Sequence, residues 1–329
     1  MILVTGASGF LGQHLVRHLS EQGKNIRALY NKNKPGHGLT KLPGVNWQQC
    51  DLLDVYAVEE AMANIDEVYH CAGIVSFHPS EKKKLMHFNV TSTAHIVNEA
   101  LEKGIRKLVH VSSVAALGRN DAKQTEITEE AEWEESKRNS QYALSKYFAE
   151  MEVWRGIGEG LNAAIVNPGI VLGEGNWDVG SSRLMKIVNK EFPFFTRGIN
   201  SFVDVKDVVC AMVQIMSSDI HSERFIISAG NFSYKDIFTM MANELGKRPP
   251  HIAANNFLTS LVWRWSMMKS RIFGETATIT KETARTSQAQ AYYNNEKLLR
   301  HLAAFEYTDM KSTIKRMARA FIEDDQKKN

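Results

Sequence analysis

The feature that most constrains this chain is an alternation, over its first two-thirds, of short apolar runs with longer amphipathic stretches. The runs "ILVT", "NIRALY", "VNWQQC", "EVYHCA", "KLVHVSS" and "NAAIVN" have strand length and composition, and helix-like segments separate them. Strand, helix and strand in succession is the crossover that parallel pairing requires. The pattern therefore predicts an α/β fold, a doubly wound parallel sheet with helices on both faces. The helix after "ILVT" carries Leu11, Leu15 and Leu19 in steps of four, with Gly23 just past its predicted end. A second, over about residues 82–103, is predicted to bury Leu85, Phe88, Ile96, Val97 and Leu101 and to stop at Gly104.

Beyond Pro168 the pattern turns irregular, returns to strand-like "SFVDV" and "RFIIS", and ends in helices rich in Met, Trp and Lys. This reads as a larger domain over residues 1–172, rejoined by 200–228, and a smaller interleaved lobe made of 173–199 and 229–329. Residues 119–139 are polar and acid-rich, an excursion of the kind that carries ligand contacts.

Charge excludes some partners. Forty basic residues face 37 acidic ones, a net charge of +3, and no basic block or base-reading motif accompanies them, so no nucleic-acid partner is expected. The three cysteines, Cys50, Cys71 and Cys210, are far apart and have neither disulfide-framework nor metal spacing, which fits a reduced cytoplasmic setting and a packing role. Met1 runs straight into "ILVTG", so no signal peptide is expected. The apolar stretch 257–268 is interrupted by Arg264 and falls short of the ~20 residues a spanning helix needs.

"TGASGFLG" sets Gly6, Gly9 and Gly12, with Ser8, Phe10 and Leu11 between them, at the turn from the first strand into a helix. A pyrophosphate needs backbone N–H groups and a helix N-terminus within reach, and side chains at those positions would block it. The motif thus predicts dinucleotide binding on a Rossmann-like domain, though its G-x-x-G-x-x-G spacing differs from the usual G-x-G-x-x-G.

That spacing resembles the extended branch of the short-chain dehydrogenase/reductase superfamily, which includes the NAD-dependent epimerase/dehydratase enzymes, and the resemblance recurs along the chain. "CDLLD" implies Asp51 and Leu52 near the adenine. "HCAG" implies that Cys71, Ala72 and Gly73 support the cofactor at the end of the fourth strand. "HVSSVAALG" implies an active serine, and counting back from Gly118 selects Ser113 over Ser112. "NPGIVLG", with Asn167, Pro168 and Gly169 at a cofactor-facing strand end, and "FVDVKDVV" resemble the dihydroflavonol-reductase and 3β-hydroxysteroid-dehydrogenase-like subgroup. The resemblance is strong to about residue 175 and thin after 230.

Tyr142 and Lys146 in "YALSK" share one helix face. Alone, such a pair is an ordinary solvated face; beside Ser113 and the glycine loop it implies catalysis. A phenol titrates near pH ~10 and needs a nearby positive charge to act as an acid at neutral pH. Lys146 is expected to supply that charge and, by the resemblance, to hydrogen-bond the nicotinamide ribose. Tyr142 would be the general acid/base and Ser113 a hydrogen-bond donor to the same oxygen. Asn89 in "FNVT" has two readings, support of a proton-relay water or service to the local backbone.

The end of the second strand meets the adenosine ribose in this fold, where an acid marks NAD. Here stand Tyr30 and Asn31, followed by Lys32 and Lys34, so NADP is favoured over NAD. His70 and His110 lack companion ligands and are not assigned to a metal. Asp204 and Asp207 are expected to cap a helix or organise a loop, with ligand contact the lesser reading. The Trp263, Trp265, Met267, Met268 cluster is read as core, with an apolar substrate pocket or membrane contact as its alternative.

The dehydratases of the superfamily place an Asp–Glu pair after the active serine, where this chain has Val114 and Ala115. Its epimerases place an arginine before the strand-end proline, where this chain has Asn167. A reductase or dehydrogenase of a small or medium apolar carbonyl compound or alcohol is therefore expected, with an epimerase and a non-catalytic dinucleotide-binding regulator as alternatives. The resemblance also implies a homodimer joined through the second long helix and the YALSK helix.

Overall fold

A computed structural model describes residues 1–118, 126–134, 139–254 and 286–327. The Trp/Met-rich stretch 257–268 lies outside the described residues, as do 119–125 and 135–138 of the acid-rich excursion.

In chain order the strands are β1 (Ile2–Thr5), β2 (Ile26–Tyr30), β3 (Val45–Gln49), β4 (Glu67–His70), β5 (Lys107–Val111), β6 (Ala163–Pro168), β7 (Ile170–Leu172), β8 (Phe194–Phe195), β9 (Ile199–Asp204), β10 (Glu223–Ile227), β11 (Gly230–Ser233) and β12 (Ile252–Ala253). Seven of them form one sheet in the order β3-β2-β1-β4-β5-β6-β10, every neighbour parallel. Successive side chains leave a strand on opposite faces, and both faces here are covered. Leu3, Val68, Leu108 and Ile165 enter one core, whereas Val4, Tyr69, Val109 and Val166 enter the other.

The helices, again in chain order, are α1 (Phe10–Glu21), α2 (His37–Thr40), α3 (Val55–Ala61), α4 (Lys82–Glu102), α5 (Gln141–Gly158), α6 (Arg183–Asn189), α7 (Val205–Ser217), α8 (Tyr234–Leu245), α9 (Glu296–His301) and α10 (Met310–Gln326). α1 and α7 cover one face of the sheet through Leu15, Val16, Leu19, Val208, Met212 and Ile215. α3, α4 and α5 cover the other, where Val58, Ile96, Val97 and Val153 are buried. Gly23 (φ +71°) and Gly104 (φ +60°) close α1 and α4 in the left-handed conformation expected of such stops. Leu85, Ile96 and Val97 are buried as predicted. Phe88 and Leu101 are only half-buried, because Phe88 faces a cavity and Leu101 sits at the margin of its cluster.

"SFVDV" and "RFIIS" both become strands but separate: β10 extends the main sheet beyond β6, while β9 pairs with β7 and β11 in a second, three-stranded sheet. A third core, including Leu172, Trp177, Met185, Phe202, Met241 and Ile314, holds that sheet against α6, α8 and α10. Asp204 caps α7 (2.8 Å to the Lys206 N–H) and accepts from Thr313 (2.7 Å) and from Arg316 (2.7 and 2.8 Å). Asp207 accepts from the Thr308 N–H (2.8 Å) and hydroxyl (2.6 Å). Both aspartates therefore tie α10 and the segment before it to α7. Among the described residues no helix is long and apolar enough to cross a membrane.

Candidate active site

Strand order reverses between β1, which runs outward to β2 and β3, and β4, which runs to β5 and β6. Such a reversal opens a crevice at the carboxyl ends of the strands. Gly6 leaves β1 at φ +61°, and a Cβ there would lie 2.7 Å from the Ala72 main chain. A Cβ on Gly12 would lie 2.2 Å from the Gly6 carbonyl oxygen. Glycine is what lets the turn, the helix and the end of β4 approach one another. The N-cap of α1 is Gly9; no side chain caps the helix and no acid stands in its first turn. Its opening N–H groups and positive dipole end are thus left for an anion.

These groups border a cavity of about 410 Å3, into which Gly6, Ser8, Gly9, Phe10, Leu11 and Gly12 all face. Asn31 and Leu52 line its outer side, and Cys71, Ala72 and Gly73 its floor. Pro168, Gly169, Ser113, Tyr142 and Lys146 line the far end. An adjoining cavity of about 420 Å3 shares Ser8, Asn31, Ile74 and Phe88 with the first, and Lys32 and Asp51 line it. An uncapped helix N-terminus at one end and a Ser–Tyr–Lys set at the other fit a dinucleotide.

Ser113 accepts a hydrogen bond from the Ala115 N–H (3.1 Å), which fixes the short turn after β5, and its hydroxyl bonds the Tyr142 phenol. Ser112 also lines the cavity, but its buried hydroxyl has no partner among the described residues. Ser140 caps α5 by accepting from the Ala143 N–H (2.9 Å), setting the register that carries Tyr142 and Lys146. The Phe77 ring packs edge-on against Tyr142 at 5.6 Å.

The electrostatics differ from the expectation. Burial pushes the Tyr142 phenol above its ordinary value, and the Ser113 hydrogen bond is what pulls it back. Lys146 is 5% exposed, and burial lowers its ammonium to about 8 against the opposing pull of Glu150. It donates to the Val111 carbonyl (2.7 Å), so it is aimed at the main chain of β5.

Two predicted residues stand behind the cavity, not on it. Asn89 is buried; its amide donates to the Ile74 carbonyl (3.1 Å) and the Ser145 hydroxyl (3.0 Å), and its oxygen accepts from the Ile74 N–H (2.7 Å). With both N–H groups used, it braces the loop after β4 and links α4 to α5. Asn167 is also buried, and its amide donates to the Ser113 carbonyl (3.1 Å) and the Glu150 carboxylate (2.8 Å).

His70 and His110 stack between β4 and β5 with centroids 5.2 Å apart. His70 is held by the Thr5 (2.8 Å) and Thr93 (3.0 Å) hydroxyls. No group of three or more His, Cys, Asp or Glu with metal-binding geometry occurs among the described residues. Sequence reasoning missed Ile74, Val75 and Phe77 on the loop after β4, and Lys84 and His87 on α4, which line the second cavity. Loop residues have no periodicity to betray them. Glu150 was missed as well, although the four-residue step from Tyr142 to Lys146 reaches it next.

The sequence model of the NAD-dependent epimerase/dehydratase family matches residues 2–228. The chain belongs to that family. It is an oxidoreductase-type member of an NAD-binding enzyme superfamily, similar to sterol demethylase protein B of Methylococcus capsulatus, 29% identical over 76% of each chain. It is 27% identical, over 91% of this chain and 88% of the other, to a Synechocystis sp. protein provisionally named dihydroflavonol 4-reductase. Cinnamoyl-CoA reductase 1 of Petunia hybrida is 25% identical over 76% of this chain and 78% of its own. Among solved structures, that of gox2253 superposes with a TM-score of 0.82 at 25% identity over 98% of both chains. The UDP-glucose 4-epimerase of Thermotoga maritima shares the fold, with a TM-score of 0.78 at 18% identity over 98% of this chain and 99% of the other.

Proposed function

We propose that this family member is a reductase or dehydrogenase of the extended short-chain type, interconverting an apolar carbonyl compound and its secondary alcohol. The observation that carries the reading is one cavity with a glycine-lined, uncapped helix N-terminus at one end and Ser113, Tyr142 and Lys146 at the other. Gly6, Gly9, Gly12 and the opening of α1 would hold the pyrophosphate, and Lys146 the nicotinamide ribose. The bound nicotinamide supplies the hydride. Tyr142 gives its proton to the substrate oxygen, Ser113 donates a hydrogen bond to that oxygen, and Lys146 holds positive charge near the phenol.

Three features favour net reduction over dehydration or epimerisation. Val114 and Ala115 follow Ser113, where a dehydratase has its acid pair. Asn167, before Pro168, spends its amide on the interior and presents no charge to a nucleotide phosphate. Val75, 65% exposed, and Phe77 beside Tyr142 offer apolar surface. Relatives named for sterol and cinnamoyl-CoA chemistry are in keeping with such a substrate.

NADP(H) is the preferred cofactor in this reading. Tyr30 ends β2 and Asn31 follows it, neither a carboxylate, and the adjoining cavity brings Lys32, Lys84 and His87 against one acid, Asp51. The test is cofactor consumption with a carbonyl panel. Tyr142→Phe is expected to keep dinucleotide affinity and lose at least about a hundredfold in turnover, the scale of a lost general acid. A variant that turns over normally refutes the mechanism.

A further inference from the structure

Beneath the site lies an ion pair that the proposed chemistry does not use. Glu150 is wholly buried, two helical turns after Tyr142 and one after Lys146 on the same face of α5. One carboxylate oxygen accepts from the Arg224 guanidinium (3.0 Å) and the Trp154 indole (3.3 Å), and the other from Asn167 (2.8 Å). The second N–H of that Asn167 amide reaches the Ser113 carbonyl (3.1 Å). Arg224, on β10, places two further N–H groups on the Glu129 (2.7 Å) and Ala131 (3.2 Å) carbonyls. The excursion between Ser113 and α5 is thereby tied to the same carboxylate.

We infer that Glu150 is a positioning residue for this site: its carboxylate, neutralised from behind by Arg224, lies one helical turn from Lys146 and, through Asn167, holds the turn that carries Ser113. The inference rests on the reductase reading for its consequence, though not for its geometry.

Charge decides the role. A buried ammonium with no anion nearby sheds its proton. Around Lys146 the groups are Tyr142 and Glu150 on α5, His70 and Cys71 at β4, and His110 on β5. Burial keeps both histidines neutral, with His70 lowered to about 3, and keeps the Cys71 thiol protonated, pushed up to about 12. Glu150 is the carboxylate in this set, and it opposes the burial that lowers Lys146. Arg224 is a step further away, facing Glu150. Removing the two halves of the pair should therefore move Lys146 in opposite senses, whereas a purely structural pair would loosen the site equally either way.

The test follows the 13Cε shift of Lys146 against pH in the ligand-free protein labelled at its lysines, the signal being assigned by its loss in Lys146→Met. In Glu150→Gln, Lys146 is expected to titrate lower than in the wild type by roughly one pH unit or more, a tenfold change in proton affinity. In Arg224→Gln it is expected at or above the wild-type value. An unmoved titration in Glu150→Gln, or an equal fall in both variants, overturns the inference. Should Glu150→Gln not fold, Glu150→Asp must give a smaller shift of the same sign, and its absence counts equally against. Asn167→Leu, which cuts the link to Ser113 without changing charge, is expected to leave the Lys146 titration in place and to lower kcat more than it raises KM. If the wild type turns over no carbonyl compound, the reductase reading fails while the Lys146 titration still judges the pair.

Discussion

Replacing the glycines of the first turn one at a time separates backbone strain from close approach. At Gly6 an alanine meets both: φ is +61°, which costs an L-residue about 1–2 kcal/mol, and its Cβ would lie 2.7 Å from the Ala72 main chain, an overpacking of about 1–3 kcal/mol. At Gly12 the backbone is helical, so alanine gains up to about 1 kcal/mol in propensity, yet its Cβ falls 2.2 Å from the Gly6 oxygen and 2.8 Å from the Ala7 Cα. Those are main-chain atoms that cannot swing away, so the helix must move by about 1 Å, a misplacement that costs on the order of a hundredfold. Gly12→Ala is therefore expected to weaken dinucleotide binding about a hundredfold while lowering thermal stability less than Gly6→Ala does. Gly9→Ala, whose Cβ has one neighbour at 3.0 Å, is expected to be milder than either. Gly23→Ala is the control: φ is +71° with open space around it, so it should lose stability by about 1–2 kcal/mol and leave binding untouched. Thermal melts and calorimetric titration with NADPH and NADH measure both quantities. Wild-type affinity in Gly12→Ala, or equal loss of affinity in Gly23→Ala, refutes the reasoning.

Because burial lowers Lys146 to about 8, cofactor affinity and reductive turnover should both fall as pH rises through about 8; a flat profile from pH 7 to 9.5 would contradict it. For stability the sign is reversed: between about 8 and the ordinary lysine value of 10.5 the unfolded chain holds the proton that the folded chain has lost, so this group makes stability rise with pH there. Lys32→Glu and Lys84→Glu should each weaken NADPH roughly threefold to tenfold relative to NADH, exposed charges giving no more; equal effects on the two would remove the case for NADP. Sedimentation at micromolar concentration should show a dimer that Phe148→Glu, on the outer face of α5 at 42% exposure, converts to monomer; a 37.1 kDa species alone in the wild type would exclude the pairing.

The main sheet was legible because its strands are buried on both faces and so read as uninterrupted apolar runs, and the glycine loop because a backbone constraint leaves a fixed spacing. α4 matched its predicted span, since Lys82–Glu102 ends at a glycine in the left-handed conformation. The partition of "SFVDV" and "RFIIS" between two sheets was hidden, because both have strand composition and only tertiary pairing assigns them. Within the site, residue types were legible and directions were not. Asn89 and Asn167 stood in the expected motifs, yet their amides serve Ile74, Ser145, Ser113 and Glu150, choices set by which backbone groups are left over once the sheet closes.

The stacked histidines bear on where an acid limb of the pH profile can come from. His70 and His110 lie beside Lys146, and a second cation among them would drive its ammonium down further. Burial answers this by keeping both rings neutral, His70 down to about 3, so that Lys146 carries its charge beside the Glu150–Arg224 pair with no second cation from the rings. Neither histidine then titrates in the range where histidines usually do, near pH ~6.5. Each ring's pKa is lowered on folding, so below about pH 6 the unfolded chain binds protons that the folded chain refuses, and stability falls toward acid. Loss of activity on acidification should therefore coincide with loss of fold, followed by circular dichroism on the same samples. A reversible acid limb centred between pH 6 and 7 that persists in fully folded His87→Gln protein would show that one of these rings takes a proton, and with it that the layer beneath Tyr142 is not the dry arrangement drawn here.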